Sequence, residues 1–448
     1  MLKKLLNRVR SIGSRRSQGP RVIEVTDHGL RRDRISSAAR KTIQGLQEKG
    51  YKAYVVGGAV RDLLASLVPK DFDVATNATP EQVKSVFRRA RIIGRRFRLV
   101  HVPFGEDVVE VSTFRGSGNG GDESQVHDEH GRIVRDNVFG SQQEDSIRRD
   151  FTVNALFYDP STEQIIDYCN GYADVKTRTI RMIGVPEERY REDPVRMLRA
   201  VRMAAKLDGH IEPGTKAPIR RMAELMSNVP PARVFEEMLK LLLSGHAKSS
   251  LEKLRAEGLL HGLLPMIDLI LKQPAGERFL MLVLEKTDER VLENRPVSPG
   301  FLFAALLWHE VLGAWRKAVG EGAREIPALH EAMDSIIDAQ VERLAIPRRF
   351  TTDMKELWML QARFEHRSGR RPYRLLEHPR YRAGYDFLLL RCEAGEADQE
   401  LGQWWTRFQD ASPEEREGML QADHAPRKRR RRRRSSGEKS PADAPSTA

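Results

Sequence analysis

The hydrophobic pattern changes once along the chain. Up to residue 183, short apolar runs with strand character, such as 53–56 and 108–111, alternate with amphipathic stretches. Beyond residue 186, apolar residues recur every three or four positions, as in 194–207 and 251–260, which is the spacing of amphipathic helices. The pattern therefore predicts an α+β protein, with a small mixed-sheet head followed by an elongated, all-helical neck, body and leg.

Polar and basic segments delimit the predicted domains. Basic residues without apolar periodicity at the start predict a flexible arm, and the polar end with the run Arg427–Arg434 predicts a disordered tail. A Gly-rich stretch, Ser117–Gly131, predicts a mobile loop within the head. The predicted order is arm 1–35, head 36–185, helical neck 186–270, helical body and leg 271–410, and tail 411–448.

Composition narrows the class of protein. The 448 residues are 40% hydrophobic, enough for sizeable cores, and contain no apolar run of the roughly 18 residues that a membrane span needs. The net charge of +13 indicates a polyanionic partner, although nucleic acid, an anionic membrane and simple solubility all suit a basic protein. Cys169 and Cys392 lie far apart without CxxC spacing, which argues against a disulfide framework or zinc site and predicts a cytoplasmic protein.

A glycine pair ends the first of these strand-like runs. The run leads into Gly57 and Gly58, and a helix is predicted to begin near Ala59. Glycines let the backbone approach a phosphate closely, the free N–H groups of a helix N-terminus face it, and Arg61 can add a cation. An ordinary tight turn explains the same residues, so the phosphate-site prediction depends on the residues further along the chain.

Two aspartates, Asp71 and Asp73, come after this helix with Phe72 between them. In a strand, residues i and i+2 point to the same side, so the two carboxylates are predicted to converge. Divalent cations relieve their repulsion, and Mg²⁺ prefers one or two carboxylates together with phosphate oxygens. Such ions can activate a 3′-hydroxyl and stabilise a pyrophosphate leaving group. An Asp-x-Asp pair is common without this role, and the preceding glycine turn makes it informative.

Five blocks, in this order, resemble the head and neck of class II tRNA CCA-adding enzymes and bacterial poly(A) polymerases. They fall within roughly residues 35–270, and their joint match is far more specific than any single motif. The blocks are Gly57-Gly58-Ala-Val-Arg61-Asp, Asp71-Phe-Asp73, Glu110-Val-Ser-Thr-Phe-Arg, Arg148-Arg149-Asp150-Phe-Thr-Val-Asn-Ala-Leu and Glu192-Asp193-Pro-Val-Arg196-Met-Leu-Arg199-Ala.

This resemblance implies roles for the residues of the five blocks. The implied catalytic residues are Asp71, Asp73 and Asp150. The implied metal ligands are Asp71, Asp73 and Glu110, and whether Glu110 or Asp150 completes the acidic set stays open. The implied triphosphate-binding residues are Gly57, Gly58, Arg61 and Arg149. Helical spacing places three further residues on one face, and the resemblance implies that this face reads the base: Asp193, Arg196 and Arg199. Ordinary surface salt bridges are the alternative for the charged residues.

The expected reaction is template-independent addition of AMP from ATP to RNA 3′ ends, in support of RNA processing and turnover. The segment 93–102 resembles one associated with poly(A) polymerases and implies RNA contacts by Arg95, Arg96 and Arg98, although a basic edge before a strand is an alternative. The resemblance also implies Mg²⁺ or Mn²⁺ as cofactor. Expected partners are the 3′ ends of mRNA and other transcripts, with RNA-degradation proteins as further candidates. A tRNA CCA-adding enzyme and a non-catalytic basic RNA-binding protein are the alternative functions.

Overall fold

An eight-stranded mixed sheet forms the centre of the head. The computed structural model describes residues 19–94, 98–116, 125–127, 133–136, 138–260, 271 and 274–421. The strands within them are β1 (Arg21–Ile23), β2 (Ala53–Val56), β3 (Asp73–Thr76), β4 (Arg91–Ile93), β5 (Leu99–Phe104), β6 (Asp107–Thr113), β7 (Gln125–His127), β8 (Ile133–Asp136), β9 (Leu156–Asp159), β10 (Gln164–Asp167), β11 (Thr179–Ile180) and β12 (His210–Ile211).

The large sheet has the strand order β1-β10-β9-β2-β3-β6-β5-β4. Its neighbours β3 and β6 run parallel, with Val74 opposite Val111, and the other neighbouring pairs are antiparallel. The predicted mixed sheet is therefore confirmed. Two small sheets accompany it: β7 pairs with β8, and β11 pairs with β12.

Helices form most of the remaining regular structure that the model describes. They are α1 (Val25–His28), α2 (Ser37–Glu48), α3 (Gly58–Leu64), α4 (Pro80–Val86), α5 (Gln142–Arg148), α6 (Gly171–Lys176), α7 (Pro186–Glu192), α8 (Val195–Lys206), α9 (Pro213–Lys216), α10 (Ile219–Met222), α11 (Pro231–Leu242), α12 (Ala247–Ala256), α13 (Pro274–Leu292), α14 (Pro299–Gly320), α15 (Glu325–Leu344), α16 (Arg348–Phe364), α17 (Arg371–Leu376), α18 (Tyr381–Glu393), α19 (Gln399–Asp410) and α20 (Pro413–Met419). Short 3₁₀ turns occur at Arg32–Arg34, Thr152–Asn154 and Ala223–Asn228.

The two faces of the large sheet have different surroundings. Cross-strand pairing places Val74, Val100 and Val111 on one face, which α2 and α4 cover. We call this the helical face. The opposite face carries Asp73 near the sheet end, beside a buried cluster of Tyr54, Val56, Ala75, Phe114 and Phe157. The predicted catalytic carboxylates and the helical layer therefore lie on opposite faces.

The prediction of a flexible arm over residues 1–35 is wrong for residues 19–35. β1 is an edge strand of the sheet, where Val22 pairs with Ile166, and Ile23 is buried. His28 Nε2 lies 2.9 Å from Glu163 O, although the two residues are 135 positions apart in the chain. Because the partners of this segment are so distant, its local composition gives no sign of its pairing. Residues 1–18 lie outside the described part of the chain.

Within the predicted neck, the described residues 186–260 are helical apart from connecting turns and the two-residue strand β12. In α11, Val234, Met238 and Leu241 are buried at helical spacing, as the periodicity predicted. α8 packs against α11 and α12, and α14 packs against α15. The predicted α+β class is confirmed, while the boundaries at 185 and 270 stay predictions. Among the described helices, none is both long and apolar enough to cross a membrane.

Chain packing divides into two compact units at Glu356–Leu357, within α16. The second unit has its own aromatic core, in which Trp405 Nε1 donates to Phe364 O at 2.9 Å. Its last helix, α20, corrects the predicted disordered tail over residues 411–421. A capping box, in which Ser412 Oγ accepts from Glu415 N and Glu415 Oε2 from Ser412 N, starts this helix within a polar stretch. Residues 422–448, with the arginine run, lie outside the described residues.

Candidate active site

The glycine turn lies between β2 and α3, close to Arg149. Gly57 adopts φ 73°, a left-handed value that favours glycine, and its N–H donates to Leu156 O at 3.3 Å. A Cβ at Gly57 would lie 3.3 Å from Arg149 Nη1 and would crowd the guanidinium. α3 begins at Gly58, as predicted within one residue, and the first N–H groups of a helix have no acceptor within it. The structure thus brings the predicted turn and Arg149 together.

Three carboxylates gather at the same end of the sheet. Asp73 opens β3, and the parallel pairing of Val74 with Val111 puts it beside Glu110 on β6. Burial first, and then the charges of Asp71 and Glu110, raise the pKa of Asp73 to about 6, against an opposing effect of Arg149. Asp71 precedes the strand instead of lying in it. The assumption that both aspartates are strand residues at positions i and i+2 is therefore corrected. The structure brings Glu110 to this group, and it places Asp150 elsewhere.

This donor set fits a divalent cation that arrives with a nucleotide. Within the described residues, no group of three or more His, Cys, Asp or Glu side chains forms a ready metal cage. The mutual repulsion that raises the Asp73 pKa nevertheless shows that Asp71, Asp73 and Glu110 share one neighbourhood. Mg²⁺ is typically bound by one or two carboxylates, several waters and substrate phosphates, so two or three carboxylates are enough.

Arg149 is held in place from three sides. Its Nη2 donates to Asp145 Oδ2 at 2.8 Å, its Nη1 donates to Asn154 O at 3.3 Å, and the guanidinium lies 5.4 Å from the centroid of the Phe157 ring. The same group is close enough to Asp73 to lower its pKa. Arg149 therefore presents a fixed cation between the glycine turn and the carboxylates, where a triphosphate would need one.

Arg61 does not point toward the outer side of the glycine turn. It is 5% exposed, its Nε and Nη2 donate to Asp62 Oδ1, and its Nη1 donates to Asn154 Oδ1 at 2.6 Å. Asp62 also accepts from Lys206 Nζ at 2.6 Å. Adjacent buried acceptors already satisfy the Arg61 guanidinium, and contact of Arg61 with phosphate stays a prediction. In the structure, Arg61 connects α3 to the Thr152–Asn154 turn and, through Asp62, to α8.

Asp150 and Arg199 form a partly buried ion pair between head and neck. Arg199 donates to Asp150 Oδ2 at 2.7 Å from Nε, and Nη2 lies 2.6 Å from that oxygen. Asn154 Nδ2 and Phe151 N donate to the other carboxylate oxygen. Burial opposes ionisation of Asp150, but the Arg199 charge and these hydrogen bonds together hold its pKa far below the usual range. Likewise, the charge of Asp150 raises the pKa of Arg199.

The predicted base-reading face is interrupted by a break between α7 and α8. Asp193 is extended and accepts from Arg233 Nη2 at 2.9 Å, while α8 begins only at Val195. Arg196 Nη1 donates to Glu192 Oε2 at 2.7 Å and to a backbone carbonyl. Asp193 therefore lies outside the helix that carries Arg196 and Arg199, and the single helical face inferred from their spacing is wrong.

Sequence reasoning missed an arginine cluster around Arg149. Arg189 Nη2 donates to the carbonyl oxygens of Arg148 and Arg149, both at 2.7 Å. Burial first, and then the charges of Arg115, Arg189 and Arg196, lower the pKa of Arg148 to about 10. We define the arginine cluster as Arg115, Arg148, Arg149, Arg189 and Arg196. Among the described residues, Asp145 contacts Arg149, and Glu192 contacts Arg189 and Arg196; a group of guanidiniums of this kind suits a polyphosphate.

The signal for this cluster was present in the sequence but could not be interpreted locally. Arg115 ends the Glu110 block, Arg148 opens the next one, and Arg189 stands shortly before Glu192. Taken by itself in the sequence, each of these arginines looks like an ordinary surface cation. Their proximity follows from the packing of α7 against the segment after α5.

Of the predicted RNA-binding arginines, Arg95 and Arg96 lie outside the described residues. Arg98 is ion-paired with Glu81 on α4. Its loop joins β4 to β5 beyond the Ile93–Leu99 pair, at the opposite end of β5 from the turn into β6. Contact of these arginines with RNA stays a prediction.

A glycine turn, an aspartate pair and an arginine cluster at one end of a mixed sheet are the arrangement of a nucleotidyltransferase. Three family models match the chain. They are described as "Poly A polymerase head domain" (residues 53–181), "Probable RNA and SrmB- binding site of polymerase A" (210–271) and "Polymerase A arginine-rich C-terminus" (321–437).

Poly(A) polymerases and CCA-adding enzymes are the two activities of this class, and the chain is similar to them to different extents. Poly(A) polymerase I of Salmonella typhimurium is 45% identical over 421 residues, which cover 91% of this chain and 90% of that protein. The CCA-adding enzyme of Lactobacillus helveticus is 36% identical over 48% of this chain and 52% of its own length. The solved CCA-adding enzyme of Bacillus stearothermophilus has a TM-score of 0.56 and 26% identity, with 82% of this chain and 80% of that chain covered. The chain belongs to the bacterial poly(A) polymerase family, and the resemblance inferred from its motifs is confirmed.

Proposed function

We propose that the chain catalyses poly(A) addition by in-line attack of an RNA 3′-hydroxyl on the α-phosphorus of ATP. A phosphodiester bond forms, the bond between the α- and β-phosphates breaks, and pyrophosphate leaves. The observation that carries this proposal is the convergence of Asp71, Asp73 and Glu110 beside the Gly57 turn and Arg149. An RNA-binding protein without activity gains nothing from repelling carboxylates at one sheet end.

Asp71 and Asp73 hold Mg²⁺ or Mn²⁺ in this proposal, with Glu110 beside them. When bound, the ion lowers the pKa of the attacking hydroxyl and neutralises charge on the phosphates. The raised pKa of Asp73 supports the assignment, because a nearby cation is what favours its ionised form.

The nucleotide's triphosphate lies between the glycine turn and the arginine cluster. Backbone N–H groups at Gly58 and the fixed guanidinium of Arg149 bind it, and Arg115, Arg148 and Arg189 add long-range attraction. Arg149 is a better candidate than Arg61 for phosphate contact, since the latter is engaged within the fold.

Base choice involves Arg196 and Asp193, which lie on either side of the break between α7 and α8. Their guanidinium and carboxylate offer donors and acceptors that an adenine edge can match. Asp150 and Arg199 act as positioning residues: their ion pair holds α8, which carries Arg196, against the head.

The proposed substrates are 3′ ends of mRNA and other transcripts, with a role in RNA processing and turnover in the cytoplasm. Cys169 and Cys392 are free thiols, which suits a reducing compartment. RNA-degradation proteins are proposed partners, and the family description of residues 210–271 names an RNA and SrmB-binding site. The CCA-adding alternative is disfavoured because those relatives cover only about half of the chain.

The test supplies each NTP singly, with Mg²⁺, to a generic RNA and to a tRNA that lacks its CCA end. Long products with ATP on both RNAs are expected. Addition of two residues with CTP alone, and only on the tRNA, together with no long products from ATP alone, would show a CCA-adding enzyme instead. Binding without elongation of either RNA would overturn the catalytic proposal altogether.

A further inference from the structure

A cleft of about 570 Å³ lies on the helical face of the head, away from the carboxylates. It is bounded by the start of α2, the segment after α4 and the turn between β5 and β6. We call it the head groove. The residues that matter to its chemistry are Lys41, Phe87, Arg88, Arg89, Phe104 and Asp107.

The head groove is basic, and its cations have no acidic partner within the described part of the chain. Lys41, Arg88 and Arg89 are exposed, and none of the three has an ion pair within 4.0 Å among the residues that the model describes. Asp107 is the acidic residue of the lining. Three solvated cations against one carboxylate attract a polyanion without selecting a sequence.

Two half-buried aromatic rings form part of its wall. Phe87 and Phe104 meet edge to face, with ring centroids 6.4 Å apart and an interplanar angle of 70°. Next to them, a Cβ on Gly105 would have no atom within 4 Å, so this side of the groove is open. Aromatic faces beside cations are the combination with which proteins bind single-stranded nucleic acid.

The groove lies at the same end of the strands as the carboxylates. Phe104 pairs with Asp107 at the end of the β5–β6 ladder, and His101 pairs with Glu110 three positions further along β6. At about 3.3 Å per residue, the two levels are about 10 Å apart along the strand. An extended strand that leaves Asp73 can therefore pass the β5–β6 turn and reach the groove on the other face.

We propose that the head groove binds the single-stranded RNA primer upstream of its 3′ end. The phosphates pair with Lys41, Arg88 and Arg89, and a base packs against Phe104. This contact holds the primer between successive AMP additions without touching the reacting atoms. The proposal rests on the proposed function, because it takes Asp71 and Asp73 as the place where the 3′ end reacts.

The experiment compares Arg88→Gln/Arg89→Gln with the control Lys49→Gln/Lys52→Gln, which removes the same charge from exposed residues near the far end of α2. Binding of a long oligo(A) is measured without ATP across a salt series, and elongation of di-adenylate is measured separately. If both arginines contact phosphates, the slope of log K against log salt falls by about 1.4 in the arginine variant alone. The KM for ATP and the elongation of di-adenylate, which is too short to span both places, stay at wild-type values.

A third variant tests the ring. Phe104→Leu keeps an apolar side chain but removes the aromatic ring on which a base would pack. It should therefore weaken oligo(A) binding. The salt slope should stay unchanged, because no phosphate contact is lost. Equal slopes for the arginine variant and its control, with matching melting temperatures, would overturn the proposal. Binding of AMP to the same variants is measured as well. If the arginine variant loses AMP binding while its RNA binding is unchanged, the groove is a site for free nucleotides, and the proposal is likewise overturned. Failure of the wild-type protein to elongate any primer would instead count against the proposed function, since groove binding is measured without catalysis.

Discussion

At Asp73, stability and catalysis make opposite demands on one carboxylate. Burial and the neighbouring charges of Asp71 and Glu110 raise its pKa to about 6, so the ionised form that the proposed cation requires is costly in the free protein. The sheet supplies enough stability elsewhere to hold the group where it is. Nucleotide and cation binding should relieve this repulsion.

Replacing Asp73 with Asn should therefore stabilise the free protein. The folded pKa of about 6 exceeds the unfolded value of about 3.9, so ionised Asp73 destabilises the fold fully above pH 6 and hardly at all below pH 4. Asp73→Asn should raise the free energy of unfolding at pH 8 by about 3 kcal/mol. Urea unfolding at pH 8 and pH 4.5, without metal, measures it, with Asp33→Asn as the exposed control. A gain equal at both pH values would contradict this explanation.

Loss of either aspartate should abolish nucleotide addition. Asp71→Ala and Asp73→Ala remove carboxylates that serve the ion rather than the primer, so RNA binding should be nearly unchanged. Primer extension in saturating Mg²⁺, alongside a gel-shift measurement, tests this. Residual activity above a few per cent of wild type would show that the ion is held by other groups.

Base choice should depend on Arg196. Arg196→Ala should reduce the preference for ATP over CTP by about 1–3 kcal/mol, and should reduce overall turnover less, because an unpaired base edge costs this much. The exposed Arg191 provides a matched control, Arg191→Ala. If turnover falls steeply while the preference stays constant, Arg196 contacts the phosphates rather than the base.

Among the elements, α8 is attached to the head by the Asp150–Arg199 pair as well as by the Asp62–Lys206 pair. Asp150→Ala leaves a partly exposed guanidinium with only Glu237 nearby, and the free energy of unfolding should fall by about 1–3 kcal/mol. Asp150→Leu/Arg199→Leu removes both charges and should be clearly more stable than the single variant. Chemical denaturation compares the two. Complete loss of activity in Asp150→Ala at wild-type stability would point instead to the catalytic role implied by the motif.

The sequence predicts those elements that depend on nearby residues. The strand–turn–helix around Gly57 and the helical spacing of α11 could be predicted because their determinants lie within a few positions. Arg61 looked like a phosphate ligand from its helical position, but Asn154, 93 residues away, accepts its hydrogen bond. Asp193 looked helical because spacing alone does not show that α8 begins two residues later. β1 and the arginine cluster likewise depend on long-range packing, which one sequence does not reveal.

At the scale of the whole molecule, the basic end of the chain should add electrostatic attraction for RNA. Its arginine run, Arg427–Arg434, lies outside the described residues. Removing everything after Ala425 should weaken RNA binding and shorten processive runs, with single AMP addition at saturating primer almost unchanged. If half of the run contacts single-stranded RNA, the salt slope should fall by roughly 3, at about 0.7 per contact. Deleting only residues 435–448 is the control, and equal slopes in both proteins would show that the run does not touch RNA.

The edge position of β1 has a consequence for biosynthesis. Arg21, one of the first described residues to leave the ribosome, pairs with Asp167, and the strands between them join the sheet out of chain order. A growing chain therefore exposes the unpaired edge of β9 until β10 has emerged, and β1 has no neighbour before then. Such non-local pairing slows folding and leaves strand edges open to aggregation. Translation that pauses before residue 167 should thus leave a head that chaperones must protect.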